Sequence, residues 1–147
     1  MARVDYYALE TAVKTALEAD AAVVATAGLV ILVEEEVSMH RVPVVVITLA
    51  SRAAPDELQP LRAGKGTRFL VELVLFVYFY ALDVSEAARQ RDDLVGKVEI
   101  ALMNDRTLGG ACNYLYLTGG TFVTARDESG FNSGAEVRVT VDVTATA

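Results

Sequence analysis

The chain has 147 residues, enough for one domain spanning 1–147 that buries roughly 68 to 70% of its unfolded surface. A hydrophobic fraction of 53% and a charged fraction of 22% exclude a disordered chain. Thirteen Lys and Arg against twenty Asp and Glu leave a net charge of -7, so binding of nucleic acid or anionic membrane through the whole surface is disfavoured; one Cys, one His and no Trp remove most catalytic and metal-binding vocabulary.

Cys112 stands alone, so no intrachain disulfide and no Cys-based zinc site can form. No nucleophile signature surrounds Cys112 or His40, and a buried Cys with a loop His is the expectation. The start of the chain shows no basic stretch followed by a long apolar run, which implies a protein made and kept in a cytoplasm.

In chain order, Asp5 is a good N-cap, and Tyr6, Leu9, Val13 and Leu17 recur at helical spacing to about Ala19. Glu10, Lys14 and Glu18 are expected on the solvated side, and an alanine-rich passage adds a further turn before Gly28. Leu29 to Val33 reads as a strand running into Glu34, Glu35 and Glu36, whose alternation suits a solvated strand end better than a metal site. After a turn at Ser38 to Arg41, a second strand runs from Pro43 or Val44 to Leu49.

Ser51 to Gly66 has no core pattern, and connections that long are usually functional or disordered. Its Gly64-Lys65-Gly66-Thr67 lacks the upstream glycine of a phosphate loop and precedes a strand instead of a helix. The next strand, Thr67 to Leu82, would reach about 53 Å, more than one compact sheet is expected to hold. Val45 to Leu49 and Thr67 to Leu73 are therefore expected to bracket a long projecting β-arm tipped by residues 51–66. The apolar part of the long strand, Phe69 to Leu82, is too short to cross a bilayer.

Asp83 and Glu86 form a capping-box-like start to a second helix. Ala88, Leu94, Val95, Val98, Ala101 and Leu102 make its inward stripe, Arg89, Asp92, Asp93, Lys97 and Glu99 face water, and Gly96 would mark close packing on the sheet. Asn104 to Gly110 ends it. Tyr114 to Thr118 and Thr121 to Thr124 read as strand with a bulge at Gly119-Gly120. Val137, Val139, Val141 and Val143 alternate with polar residues in a closing strand, Glu136 to Thr144, after a loop from Arg126 to Gly134. The expected fold class is α+β, a mostly antiparallel sheet with two helices packed on one face.

This order, with Leu102-Met103-Asn104-Asp105-Arg106-Thr107-Leu108-Gly109-Gly110 after the second helix and an alternating valine strand at the end, resembles the tail terminator proteins of long-tailed bacteriophages over nearly the whole chain. The resemblance implies a non-enzymatic virion protein with no catalytic, cofactor-binding or metal site. Such a subunit forms a homo-oligomeric ring, usually a hexamer, on the head-proximal end of the tail. It caps the tail tube protein, stops polymerisation, and meets the head-tail connector protein. The implied location is the virion tail, with assembly in the host cytoplasm; DNA passes through the ring without specific binding, and no membrane is involved. Part of the acidity is expected to line that channel.

Expected interface residues are Arg52, Asp56, Arg62 and Lys65 in the arm, and Arg126, Asp127, Glu128 and Phe131 in the last loop. Two other readings stay open: a head-tail connector or neck subunit, and a small ligand-binding module or enzyme with a pocket near Tyr78, Tyr80, Tyr114 and Tyr116.

Overall fold

A computed structural model describes residues 4–34, 43–53, 67–126 and 130–145. The elements are α1 (Tyr6–Glu18), α2 (Ala21–Val24), β1 (Val30–Val33), β2 (Val44–Ala53), β3 (Thr67–Ala81), α3 (Val84–Asn104), β4 (Tyr114–Gly119), β5 (Phe122–Arg126) and β6 (Phe131–Ala145). The fold is α+β. One mixed sheet runs β1-β2-β3-β6-β4, and β5 pairs with the remaining length of β6. The β1–β2 pair is parallel and every other pairing is antiparallel.

Three of the expected limits are corrected. The long strand does not outrun the sheet, because β6 matches it: Thr67 to Ala81 pairs without interruption with Ala145 to Phe131. Phe131 to Gly134, expected in a loop, form the first part of β6. Ser51 to Ala53, expected in the loop of the arm, continue β2 past a register shift between Leu49 and Ser51 and pair with Glu72 to Leu70. The strands that bracket the arm thus lie in the sheet, and the rest of its tip, 54–66, lies outside the described residues, as does the turn at Ser38 to Arg41 with His40.

One face of the sheet meets the helices. Leu9, Val13 and Leu17 of α1 and Leu94, Val98 and Leu102 of α3 close over Val45, Ile47, Val71, Leu73, Leu75, Val139, Val141 and Leu115. Each such side chain stabilises the fold by about 1.5 to 3 kcal/mol on burial. The helices begin where the sequence provides acceptors: Asp5 caps Ala8 N, Asp20 caps Ala22 N and Val23 N, and Asp83 caps Glu86 N. The segment after α3 reverses the chain through a 3-10 turn at Leu108–Gly110, where Gly109 and Gly110 have φ of 67° and 94° and Asp105 Oδ1 accepts from Gly109 N at 3.0 Å.

The opposite, more open face carries the polar half of the alternation on β3 and β6, although Val44, Val46 and Val74 on the same face are buried. Arg68 Nε donates to both oxygens of Asp142 at 2.9 Å, and Asn113 Nδ2 approaches Oδ1 at 3.4 Å. The guanidinium of Arg68 is the main reason that the Asp142 carboxyl lies below its ordinary range. Arg138 bridges Glu72 and Glu136 at 3.2 and 3.1 Å.

Two helix positions depart from expectation. Gly96 meets nothing within 4 Å of a built Cβ, so it marks no close packing. Glu10 does not face water: it is 3% exposed, because the inward stripe of α1 also takes in the position beside Leu9. Its carboxyl is hydrogen-bonded to Glu34 at the end of β1, and Glu34 Oε1 accepts from Leu49 N at 2.7 Å. Burial, then the hydrogen bond and charge of Glu34, push the Glu10 carboxyl up to about 8.

Two outcomes follow from these sites. A carboxyl raised from 4.5 to about 8 on folding contributes stability that is complete below pH 4.5 and is lost as pH rises through about 8. Glu10→Gln is expected to flatten that decline and raise Tm by about 5 °C at the alkaline end, read from thermal melts across the range. Gly96→Ala is expected to stabilise by about 0.5 to 1 kcal/mol in denaturant titration, since the added methyl meets open space and the helix gains propensity.

Candidate assembly interface

The edge opposite β1 is built from two short strands, β4 and β5, laid end to end along β6. They meet at Gly119-Gly120, as the glycines suggest: the register against β6 shifts between Leu117 and Gly119, and Gly119 has φ 120°. A Cβ on Gly120 would lie 1.7 Å from the Glu136 carbonyl oxygen, so only glycine lets the chain pass so close to β6. Among the described residues no strand pairs with the outer side of β4 or β5.

That edge is unusually apolar for an exposed one. All five residues of β5 are exposed, with Phe122 at 61% and Val123 at 59%. On β4, the rings of Tyr114 and Tyr116 lie 4.8 Å apart at 56°, and the Arg106 guanidinium stands 5.1 Å over Tyr114. Short edges, lysines, prolines and bulges are the usual protection against strand addition. The bulge at Gly119 is present here; β5 has neither Lys nor Pro, and its one charge, Arg126, stands at the hairpin end.

β5 is anchored from below by Arg91, a side chain that α3 buries to 8% exposure. Its Nη1 donates to Val123 O at 3.2 Å and reaches Gly134 O at 3.5 Å, Nε pairs with Asp92 at 2.9 Å, and the guanidinium lies 4.9 Å over the Phe122 ring. On the opposite face Gly134 leaves room for the Tyr78 ring and Val123: a Cβ there would meet Tyr78 Cε1 at 2.8 Å and Val123 Cγ1 at 3.3 Å. Helix, hairpin and central strand are thus tied at one place.

The expected interface residues fall into separate places. Arg126 and Phe131 are a cross-strand pair closing the β5–β6 hairpin, the guanidinium 5.9 Å over the ring. Arg52 is exposed on β2 opposite Val71, whereas Phe131 pairs with Ala81, ten positions further along β3. At 3.3 Å per residue the two sites are about 33 Å apart, at opposite ends of the sheet. Asp56, Arg62, Lys65, Asp127 and Glu128 lie outside the described residues.

The four tyrosines of the ligand-pocket reading do not converge. Tyr78 and Tyr80 face Gly134 and Asn132 on β6, whereas Tyr114 and Tyr116 face Asp142 and Thr140 near its other end. An open cleft of about 630 Å³ lies elsewhere, between α1 and the turn at Asp105, Leu108 and Gly109. Cys112 is buried, and burial pushes its thiol up to about 11, away from the reactive thiolate. Among the described residues no three His, Cys, Asp or Glu groups are placed to hold a metal ion.

Sequence reading missed Arg91, placed at the border of the polar face of α3, and the exposure of Phe122 and Val123. A signal for the second was present in the short Phe122-Val123-Thr124 run between two turns, with no second apolar strand left to cover it.

No protein-family model and no curated protein matches this chain. Among solved structures it is similar to a chain from the virion of a native gene transfer agent (GTA) particle, at 16% identity and a TM-score of 0.44, covering 92% of this chain and 94% of that one.

Arg91→Met keeps the length of the side chain and removes its donors. It is expected to cost about 1 to 3 kcal/mol and to speed amide exchange in 122–126 well before that of the β3–β6 ladder.

Proposed function

We propose that this chain is a structural subunit of a phage-like virion, a tail terminator that closes into a ring on the head-proximal end of the tail tube. The observation that carries this reading is the β4–β5 edge, which no other strand pairs among the described residues and on which Phe122 and Val123 are exposed, on a chain whose elements follow the order of that family. A lone subunit with such an edge invites strand addition, and a closed ring removes the liability. The two ends of the sheet then become the two faces of the ring. Arg52 and the adjoining arm with Asp56, Arg62 and Lys65 serve one face, and the Arg126–Phe131 hairpin with Asp127 and Glu128 serves the other. One face stops tube growth and the other meets the connector.

The charge distribution supports the same assembly. Ten of the twenty acidic residues, from Asp5 to Asp105, sit on the helices, their caps and the turns beside them; with Glu10 held protonated, nine anions stand there against five of the thirteen cations. On the strands and strand ends, four arginines (Arg52, Arg68, Arg126, Arg138) balance Glu34, Glu72, Glu136 and Asp142. The excess negative charge is therefore concentrated in the helical layer. A ring turning that layer toward its passage would repel DNA and let it slide. Among the described residues no helix is long and apolar enough to cross a membrane.

Electron microscopy of the protein, alone and with tube protein, tests the reading. Six-fold rings at tube ends are expected, with tails of unregulated length in particles lacking the chain. Binding to the portal assembly with no effect on tubes would favour the connector role instead. The double substitution Phe122→Lys and Val123→Lys is expected to leave a folded monomer and abolish rings; rings that persist would remove this edge from the interface.

A further inference from the structure

We infer that neighbouring subunits join by continuation of the sheet, β1 of one copy adding antiparallel to β5 of the next with Leu32 opposite Val123. This inference rests on the ring reading and adds the identity, direction and register of the contact.

Hydrogen-bond parity decides which backbone groups are free. In β1, Val30 N donates to Pro43 O at 3.0 Å and Glu34 N to Ile47 O at 2.9 Å. Residues two apart on a strand bond the same neighbour, so Leu32 also faces β2, and Ile31 and Val33 turn their N–H and C=O groups outward. In β5, the Thr121–Glu136 pair is hydrogen-bonded, with Glu136 N donating to Thr121 O at 2.8 Å. By the same alternation Val123 and Ala125 bond β6, and Phe122 and Thr124 point outward. β1 thus offers two outward residues and β5 a matching two at the same spacing, with Arg126 a third at the hairpin end.

Direction follows from the sheet. β1 is parallel to β2, and three successive antiparallel steps lead from β2 through β3 and β6 to β5. A second copy added by lateral displacement therefore sets its β1 antiparallel to β5. The hydrogen-bonded pairs are Ile31 with Thr124 and Val33 with Phe122.

The faces agree with this register. Ile31 and Val33 pack on the helix side of the sheet, and Phe122 lies on that side under Arg91. Leu32 and Val123 fall on the open side, Val123 beside Gly134 and Tyr78. They form a pair without hydrogen bonds, whose Cα atoms stand about 4.5 Å apart, within disulfide range. A second copy is the favoured occupant because both halves of the contact lie on this one chain, at opposite ends of the same sheet. Joining unlike edges is heterologous, so the assembly either closes as a ring or continues as a filament.

The test uses the full chain with Cys112→Ser. Oxidised Leu32→Cys/Val123→Cys protein is expected to give a ladder of covalent oligomers ending at the closed ring, and neither single variant should give more than dimers. Thr124→Pro removes an outward N–H and leaves the hydrogen-bonded pairs of β5 with β6 in place. It is expected to fold by circular dichroism and to form no rings. If the unsubstituted chain forms rings, yet the double-cysteine rings stay uncrosslinked or Thr124→Pro still closes, the edge pairing is overturned and the ring reading survives. If the unsubstituted chain forms no rings, the ring reading falls, and the pairing with it.

Discussion

The pairing of β3 with β6 is the constraint on which the other elements depend. Fifteen residues of each strand face one another without a shift, from Thr67 against Ala145 to Ala81 against Phe131. Everything else attaches to that ladder. β2 lies along the far side of β3, β4 and β5 share the far side of β6, and α3 packs against both central strands. Alternation makes the arrangement two-sided: Val71, Leu73 and Leu75 face Val141, Val139 and Val137 beneath the helices, and Glu72 and Arg138 are left on the open side. A slip of one residue would move the valines to water and the charged set into the core, so the burial pattern itself holds the register.

The polar groups that enter this scaffold do so in two different ways. Asp142 is nearly buried but receives Arg68 and Asn113, and its carboxyl stays charged. Glu10 is nearly buried against another carboxylate, and burial holds it protonated. The two respond to pH in opposite senses: the Asp142 contribution is lost as pH falls through its lowered value, the Glu10 contribution as pH rises through about 8. Arg91 is a third case, a buried cation satisfied by carbonyl oxygens and an aromatic face, which couples α3 to an edge strand that has few other contacts.

The legible parts of the sequence were those with a strong period or a specific end signal. The caps at Asp5 and Asp83, the break at Gly119-Gly120 and the closing valine strand stand where the residues put them. What failed was anything set by a partner distant in sequence. The length of β3 looks impossible until β6 is known to match it, and Phe131-Asn132-Ser133-Gly134 looks like a loop because its partners lie elsewhere in the chain: the Ser133 hydroxyl lies 3.3 Å from that of Thr124, and Gly134 makes room for the Tyr78 ring and offers its carbonyl to Arg91. Glu10 sits one position past Leu9, and helical spacing alone cannot show that Glu34 is waiting there. Of the residues expected at an interface, Arg52 and Phe131 lie at opposite ends of one sheet, a separation set by the β2–β3–β6 pairings that no local pattern carries.

The scarcity of chemically reactive residues and the placement of charge have a common physical consequence. Ionised side chains are concentrated on the helices, where water and short-range ion pairs such as Lys97–Asp93 and Arg89–Glu86 accommodate them. β5 carries only Arg126, at its hairpin end, and β1 carries none. Charges directly opposite one another on adjoining strands would set strong sign rules on which edges could meet. Two nearly neutral edges with outward N–H and C=O groups can pair without such rules, and in the proposed assembly the acidic helical layers of adjacent copies would limit how sharply the sheet could curve toward that side. The geometry of such a proposed assembly would be determined by backbone hydrogen bonds along the edge and by repulsion between helices, two interactions that require neither a histidine nor a cysteine.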